Sequence, residues 1–231
     1  MTPVCDVDSN VCVGCSSHEH CPETACNLSA GNCFDPASII HVSGDDLNCP
    51  GGNGSESAPY CDLATALINA PAEPLIILHE LFQESPYLED TVIQGTVAIF
   101  AAEGEAPKLQ GVNNNPAITV AASGTLFMHG VQIDGTNIMV VGFRVNGGDA
   151  WLDSSRVGTN GGGITVTGGS LHVANSFIGG DKSDKYRSTS PAAKPILSTR
   201  QLSPALDISQ CPLHRWSKYQ HPQLTHCFSF A

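Results

Sequence analysis

The residues of this 231-residue chain with chemistry to offer are ten cysteines, nine histidines and a scatter of carboxylates with few bases to meet them. Six cysteines crowd the start, spaced Cys5-x6-Cys12-x2-Cys15-x5-Cys21-x4-Cys26-x6-Cys33, and Cys49 and Cys61 follow. Thiols this dense suit either disulfides or a zinc site built from Cys12-x2-Cys15 with His18, His20 and Cys21. The segments CDVDSNVC (5–12) and CNLSAGNC (26–33) read as one unit written twice: a cysteine, a polar turn, a cysteine. That unit suits a small hairpin closed by its own disulfide. The even count, the acidic turns and the lack of a second Cys-x2-Cys pair favour disulfides. Cys5, Cys12, Cys15, Cys21, Cys26, Cys33, Cys49 and Cys61 are therefore expected to be disulfide-bonded, with no metal. So short a stretch cannot build an apolar core, and cross-links must replace it. Asp6, Asp8 and Asn10 imitate the start of a calcium loop, but neither its glycine nor its closing glutamate follows.

The carboxylates do not gather. Asp134, Asp149 and Asp153 lie in separate turns or faces of the coil deduced below, as do Arg144 and Arg156. A hydrolase needs two carboxylates flanking a bond, and a lyase needs carboxylates around calcium with a base beside them. Gly161-Gly162-Gly163 does not link a strand to a helix, so it is no phosphate loop. No Gly-x-Ser-x-Gly elbow occurs. Asn27-Leu28-Ser29 and Asn53-Gly54-Ser55 match the acceptor pattern for N-glycosylation.

Charge narrows the partners. The chain carries 22 Asp+Glu against 10 Lys+Arg, a net charge of −12. Residues 1–181 hold 20 acids against Lys108, Arg144 and Arg156, whereas residues 182–231 hold seven bases and two acids. A phosphate backbone has no counterion replacement here, so no nucleic acid is expected. No apolar run reaches the ~20 residues of a membrane-spanning helix, so no membrane insertion is expected. All 23 glycines precede residue 181, and aromatics are 6%, a balance that suits short strands and turns.

The elements that position these groups repeat. ITVAASGTLFMHGVQI (118–133), FRVNGGDAWLDSSRV (143–157) and ITVTGGSLHVANSFI (164–178) align, each an alternation, a glycine turn, and two further alternations. Period-2 alternation means half-buried strand, and repeats of about twenty residues mean a solenoid. Ile118, Val120, Leu126, Met128, Val131 and Ile133 should point inward. So should Phe143, Val145, Ala150, Leu152 and Val157, and then Ile164, Val166, Leu171, Val173 and Ile178. Gly147-Gly148 and Gly168-Gly169 mark one corner. Segments 74–84 and 91–100 read as earlier rungs. A β-sandwich would need two-residue hairpin turns, which are missing.

In this register the outward residues form columns: Ala98, Phe127, Trp151, His172; beside it Phe100, His129, Asp153, Ala174; then Thr119, Arg144, Thr165; and Gln132, Arg156, Phe177. Rings lined up beside a carboxylate and an imidazole can bind sugars, so Phe127, His129, Trp151, Asp153 and His172 are the candidate carbohydrate site. The alternative is that the column is an outer ladder covered by a loop or another module.

Two resemblances follow. The cysteine-rich start, with its Cys21-Pro22 step, resembles the short repeats that head many secreted proteins of myxobacteria and their relatives. Residues 41–181 resemble bacterial right-handed parallel β-helix proteins of the pectin-lyase-like superfamily. The likeness rests on a strand, a Gly-Asp loop, the Ala58-Pro59 step, and a helix near 62–70 capped by Asp62 and ended by Pro71. The expected fold is all-β: a right-handed parallel β-helix of about four to five rungs behind a small disulfide-rich module. The expected units are residues 1–36, 37–181 and an atypical tail, 182–231. The tail's five prolines and absent glycines read either as a departure from the ancestral reading frame near Lys182 or as a cap closed by Cys211 and Cys227. The expected protein is a monomeric, secreted or cell-surface, non-catalytic binding or structural module without cofactor, with a polysaccharide or cell-surface component as partner. Its signal peptide would lie upstream of a truncated start. The alternative is a truncated polysaccharide lyase or glycoside hydrolase, with calcium if a lyase.

Overall fold

The structure, a computed structural model, describes residues 4–6, 11–134, 141–159 and 163–180, and side chains from residue 14 onward within them except Thr159 and Gly180. The tail and its expected frame change or cap lie outside the described residues. Two short hairpins come first, β1 (Val4–Asp6) with β2 (Val11–Val13) and β3 (Cys26–Asn27) with β4 (Asn32–Cys33). Strand β5 (Ile39–Val42) and helix α1 (Leu63–Asn69) follow. The coil then runs β6 (Leu75–Leu78), β7 (Pro86–Glu89), β8 (Thr91–Ile93), β9 (Thr96–Ala101), β10 (Lys108–Gly111) and β11 (Ile118–Val120). It continues with β12 (Thr125–His129), β13 (Gln132–Asp134), β14 (Phe143–Asp153), β15 (Arg156–Thr159), β16 (Ile164–Ala174) and β17 (Phe177–Gly180).

Every pairing within the coil is parallel, and each strand pairs with the one a rung away, giving a β-solenoid of about four turns. One face is a five-stranded sheet in the order β17-β15-β13-β10-β7. The other two faces are joined because β14 and β16 each run through a corner. That corner is where the paired glycines fall. Gly147 and Gly169 have φ of +95° and +77°, and a Cβ on Gly169 would stand 1.7 Å from the Gly148 carbonyl oxygen. Only glycine fits there. The strand pairing does not stop at this turn as the sequence suggested; it continues through register shifts beside Val145 and Asn146.

The inward residues fill the axis. Ile118, Val120, Leu126, Met128, Val131, Ile133, Phe143, Val145, Ala150 and Val157 are all fully buried, and Val166, Val173 and Ile178 pack against them half-buried. Helix α1 plugs the first turn through Leu63 and Ala66. Asp62 caps it, its carboxylate accepting the Thr65 amide at 2.7 Å, and buried Glu89 accepts the Leu63 amide at 3.2 Å and the Thr91 hydroxyl at 2.7 Å. Burial pushes the Glu89 carboxyl above its usual range despite those donors.

Three disulfides are described: Cys15–Cys26, Cys21–Cys33 and Cys49–Cys61. The hairpin expected over residues 26–33 forms, with Cys26 opposite Cys33, but it is not closed on itself. Both cysteines reach back to the preceding segment instead. Those bonds span 11 and 12 residues of sequence and tie the Cys15–Cys21 stretch to the hairpin, which a bond within the hairpin would leave loose. In the first hairpin the backbone sets Cys5 opposite Cys12, and their side chains lie outside those described.

Candidate functional site

The register reproduces the outward columns. Ala98, Phe127, Trp151 and His172 stand in neighbouring strands at one level, with Ile39 and Leu75 extending the column. Phe100, His129, Asp153 and Ala174 stand beside it, extended by His41 and Ile77. The alternation that buries every second residue pushes these outward.

The columns are not an open groove. Ala25 and Phe34, in the disulfide-bonded segment, are buried against Leu75, Ala98 and Phe127, with Leu28, Ile39, Ile77, Phe100 and Trp151 around them. Phe127 is 0% exposed. The Phe34 ring meets it edge to face, centroids 5.9 Å apart. Among the candidate sugar-binding residues, Phe127 is thus closed to a ligand in this arrangement. Trp151 is half-buried, and its ring lies between Phe127 at 4.8 Å and His172 at 4.6 Å, the latter nearly parallel at 4°. Consecutive rungs lie on opposite sides of a ladder ring. Both faces of Trp151 are therefore occupied, and only its edge looks outward, whereas sugar stacking uses a face.

His18 packs onto the second column, leaving His129 and Asp153 part-exposed. Its ring packs edge-on with Phe100 at 4.6 Å and lies 5.8 Å from His129. Its Nδ1 accepts the Cys26 amide at 3.2 Å. Burial, and then His129, hold the His18 imidazole below its usual value, against the pull of Asp153 and Glu19. His129 stacks on Phe100 and meets Asp153, Nδ1 to Oδ2, at 2.9 Å, and Asn175 donates to the other Asp153 oxygen. Asp149 accepts from the Ser170 hydroxyl, which also lies 3.3 Å from His172 Nε2. His172 is likewise held low by burial, with Asp149 opposing.

The five candidate residues are thus brought onto neighbouring strands, and Phe127, Trp151 and His129 among them meet the disulfide-bonded segment in a joint with the solenoid. Among the described residues, the one place where three Cys, His, Asp or Glu groups converge is Cys15, Cys21 and Cys26, whose sulfurs are in disulfides.

An exposed ring does exist on the five-stranded sheet. Phe177 is 60% exposed, and the tip of its ring crosses Gly179, where a Cβ would stand 2.4 Å away. The Arg156 guanidinium lies 5.7 Å from its centroid. Arg156 in turn folds toward Gly158, the register partner of Gly179. Among the described residues no carboxylate pairs with Arg156. The sequence signal was present in Arg156-x-Gly158 one rung before Phe177-x-Gly179: a long side chain and a glycine on the same face of each strand, the glycine leaving a shelf for the side chain.

Residues 1–39 match one family model. Its description is "Family of unknown function (DUF8331)". The match ends on Ile39, the first residue of β5, so the matched unit comprises both hairpins and the docking face with Phe34. No curated protein and no solved structure matches the chain.

Proposed function

We propose that this protein is a secreted or cell-surface β-solenoid acting as a non-catalytic structural or binding module, with carbohydrate as the ligand class. The observation that carries the reading is the joint itself. The ring column that would line a substrate groove is instead consumed in fastening a disulfide-bonded unit along the coil. The density of disulfides supports an oxidising compartment outside the cell. Kinship with the bacterial pectin-lyase-like proteins belongs to the same proposal, supported by parallel rungs and a helix plugging the first turn.

A glycan would be met on the five-stranded sheet. Phe177 offers an exposed ring there, and Arg156, Gln132 and Asp134 offer donors and acceptors beside it. The excess of acids over residues 1–181 disfavours a polyanion such as a uronate polymer and leaves neutral or amino sugars. The competing reading, a lyase with calcium or a hydrolase, needs converging carboxylates; among the described residues no three Cys, His, Asp or Glu groups meet within metal-binding reach outside Cys15, Cys21 and Cys26.

Titration of the full chain against neutral, amino-sugar and uronate polymers tests this. Binding should weaken by about tenfold or more in Phe177→Ala, a loss of ~1–3 kcal/mol as at a binding hot spot, and persist in Trp151→Phe. New reducing ends released from any polymer would replace this reading with the enzymatic one.

A further inference from the structure

At the end of the second column, away from the Phe177 shelf, two imidazoles face one another across a gap of metal-ligand size. His41 lies on β5, and His79 immediately follows β6. His41 Nδ1 and His79 Nε2 are 3.1 Å apart, and the rings lie 24° from parallel with centroids at 5.4 Å. The backbone of both residues is held: the His41 amide donates to the Gly54 carbonyl at 2.8 Å, the His79 amide donates to the Val42 carbonyl at 2.9 Å, and the Tyr87 hydroxyl donates to the His79 carbonyl at 2.7 Å.

Glu105 fixes the tautomer. Its Oε1 lies 3.3 Å from His79 Nδ1, and its other oxygen accepts the Glu80 amide. An ionised carboxylate only accepts, so the His79 proton sits on Nδ1 and Nε2 presents a lone pair toward His41. A carboxylate behind an imidazole whose far nitrogen is a lone pair is the supporting arrangement that metal-bound histidines use. Zinc–nitrogen bonds of about 2.0–2.1 Å place two nitrogens 3.1 Å apart at a nitrogen–metal–nitrogen angle of about 100°, close to tetrahedral. Both residues are half-buried, so each side chain remains in part accessible to water.

We propose that His41 Nδ1 and His79 Nε2 bind a borderline divalent cation, Zn²⁺ or Cu²⁺, with Glu105 orienting His79 from behind. Binding moves the proton that otherwise bridges the two nitrogens from His41 Nδ1 to the same ring's Nε2, so both histidines coordinate as neutral imidazoles, and water completes the coordination. Imidazole pairs select these ions over Mg²⁺ and Ca²⁺, which require oxygen ligands.

The test uses the full oxidised chain, with Zn²⁺ by calorimetry and Cu²⁺ by electron paramagnetic resonance. The expected result is one strong site, with two-nitrogen hyperfine structure on the copper signal. His41→Gln and His79→Gln should each weaken that site tenfold or more, and Glu105→Gln should weaken it roughly tenfold while keeping the two-nitrogen signal. Replacing His20, His214, His221 and His226 together should leave it intact. Absence of a strong site in the unaltered chain overturns the proposal, as does an isotherm unchanged in His41→Gln. The copper signal of the unaltered chain decides the matter if a histidine variant fails to fold: a single-nitrogen signal overturns the pair.

Discussion

The Phe34 ring of the disulfide-bonded segment stands edge-on to Phe127 of the solenoid, centroids 5.9 Å apart and planes 77° from parallel, and both rings are buried. This contact joins residues far apart in sequence, and its removal should be felt at both ends. Phe34→Ala leaves a void over Phe127, and core Phe→Ala changes cost about 3–5 kcal/mol. The segment can relieve that void by lifting away, so the loss should appear as local opening. Hydrogen exchange should accelerate over residues 15–34 and in β6 and β9, while β13 and β15 keep their protection. Unchanged exchange in β6 would mean that the segment is not held by this ring.

Acid should loosen the same joint. His18 is held below its ordinary value of 6.5 by burial first and by His129 second, while Asp153 and Glu19 pull the other way. A histidine with a depressed folded value stabilises the neutral form. Its contribution is complete above 6.5 and is lost as pH falls from there toward the folded value. Protonation also turns the Nδ1 that accepts the Cys26 amide into a donor. Exchange of the Cys26 amide should therefore rise as pH drops below about 6.5, beyond the intrinsic chemical dependence. His18→Gln should flatten that response. A response of equal size in His18→Gln would assign the effect to another imidazole that burial depresses, His41 or His172, and not to His18.

What the sequence revealed and what it hid divide along the range of the interactions. Period-2 alternation is local, and it located every column: Trp151 opposite Phe127 and His172, and Asp153 opposite His129, follow from the spacing of three repeats. What covers a column is not local. Phe34 carries no pattern that points to Phe127, so the spacing allowed a covered ladder without naming what covers it. Disulfide partners failed for the same reason. A hairpin sets Cys26 opposite Cys33, but the sulfurs bond to Cys15 and Cys21, which only the folded segment brings near. His41 and His79 are 38 residues apart, one on β5 and the other just past β6, strands that pair across the first turn, so no motif spacing announced them.

The disulfide pattern can be read directly. Peptide mapping of the unreduced protein should recover Cys15 with Cys26, Cys21 with Cys33 and Cys49 with Cys61. Replacing Cys21 and Cys33 together by serine should cost about 2–4 kcal/mol of segment stability in a chain-entropy view. It should also expose Phe34, because the hairpin carrying that ring is then tied only through Cys26. Recovery of a Cys26–Cys33 peptide would restore the self-closed hairpin and remove this account of how the segment holds together.

The two glycosylation patterns differ in what the fold lets them tolerate. Asn27 is 4% exposed. Its Oδ1 accepts from the Ser29 amide at 3.2 Å, the Ser29 hydroxyl at 2.8 Å and the Ala30 amide at 3.1 Å, which shapes the turn between β3 and β4. A glycan on its nitrogen would have to leave through a packed turn, beside the face that docks on the ladder. Asn53 lies exposed in the loop closed by Cys49–Cys61, and its Oδ1 accepts the Ser55 amide at 3.0 Å, which leaves the amide nitrogen facing solvent. Acceptors are modified on the nascent chain, so an Asn27 glycan would be carried into folding and would obstruct the hairpin, whereas one on Asn53 would not. Expressed in a host that glycosylates secreted chains, the soluble, fully oxidised protein should carry sugar at Asn53 only. Asn53→Gln should abolish the mobility shift removed by glycosidase, and Asn27→Asp should leave it unchanged. A glycopeptide containing Asn27, recovered from material whose Cys15–Cys26 and Cys21–Cys33 bonds are intact, would show that the turn is open enough to contradict the packing described.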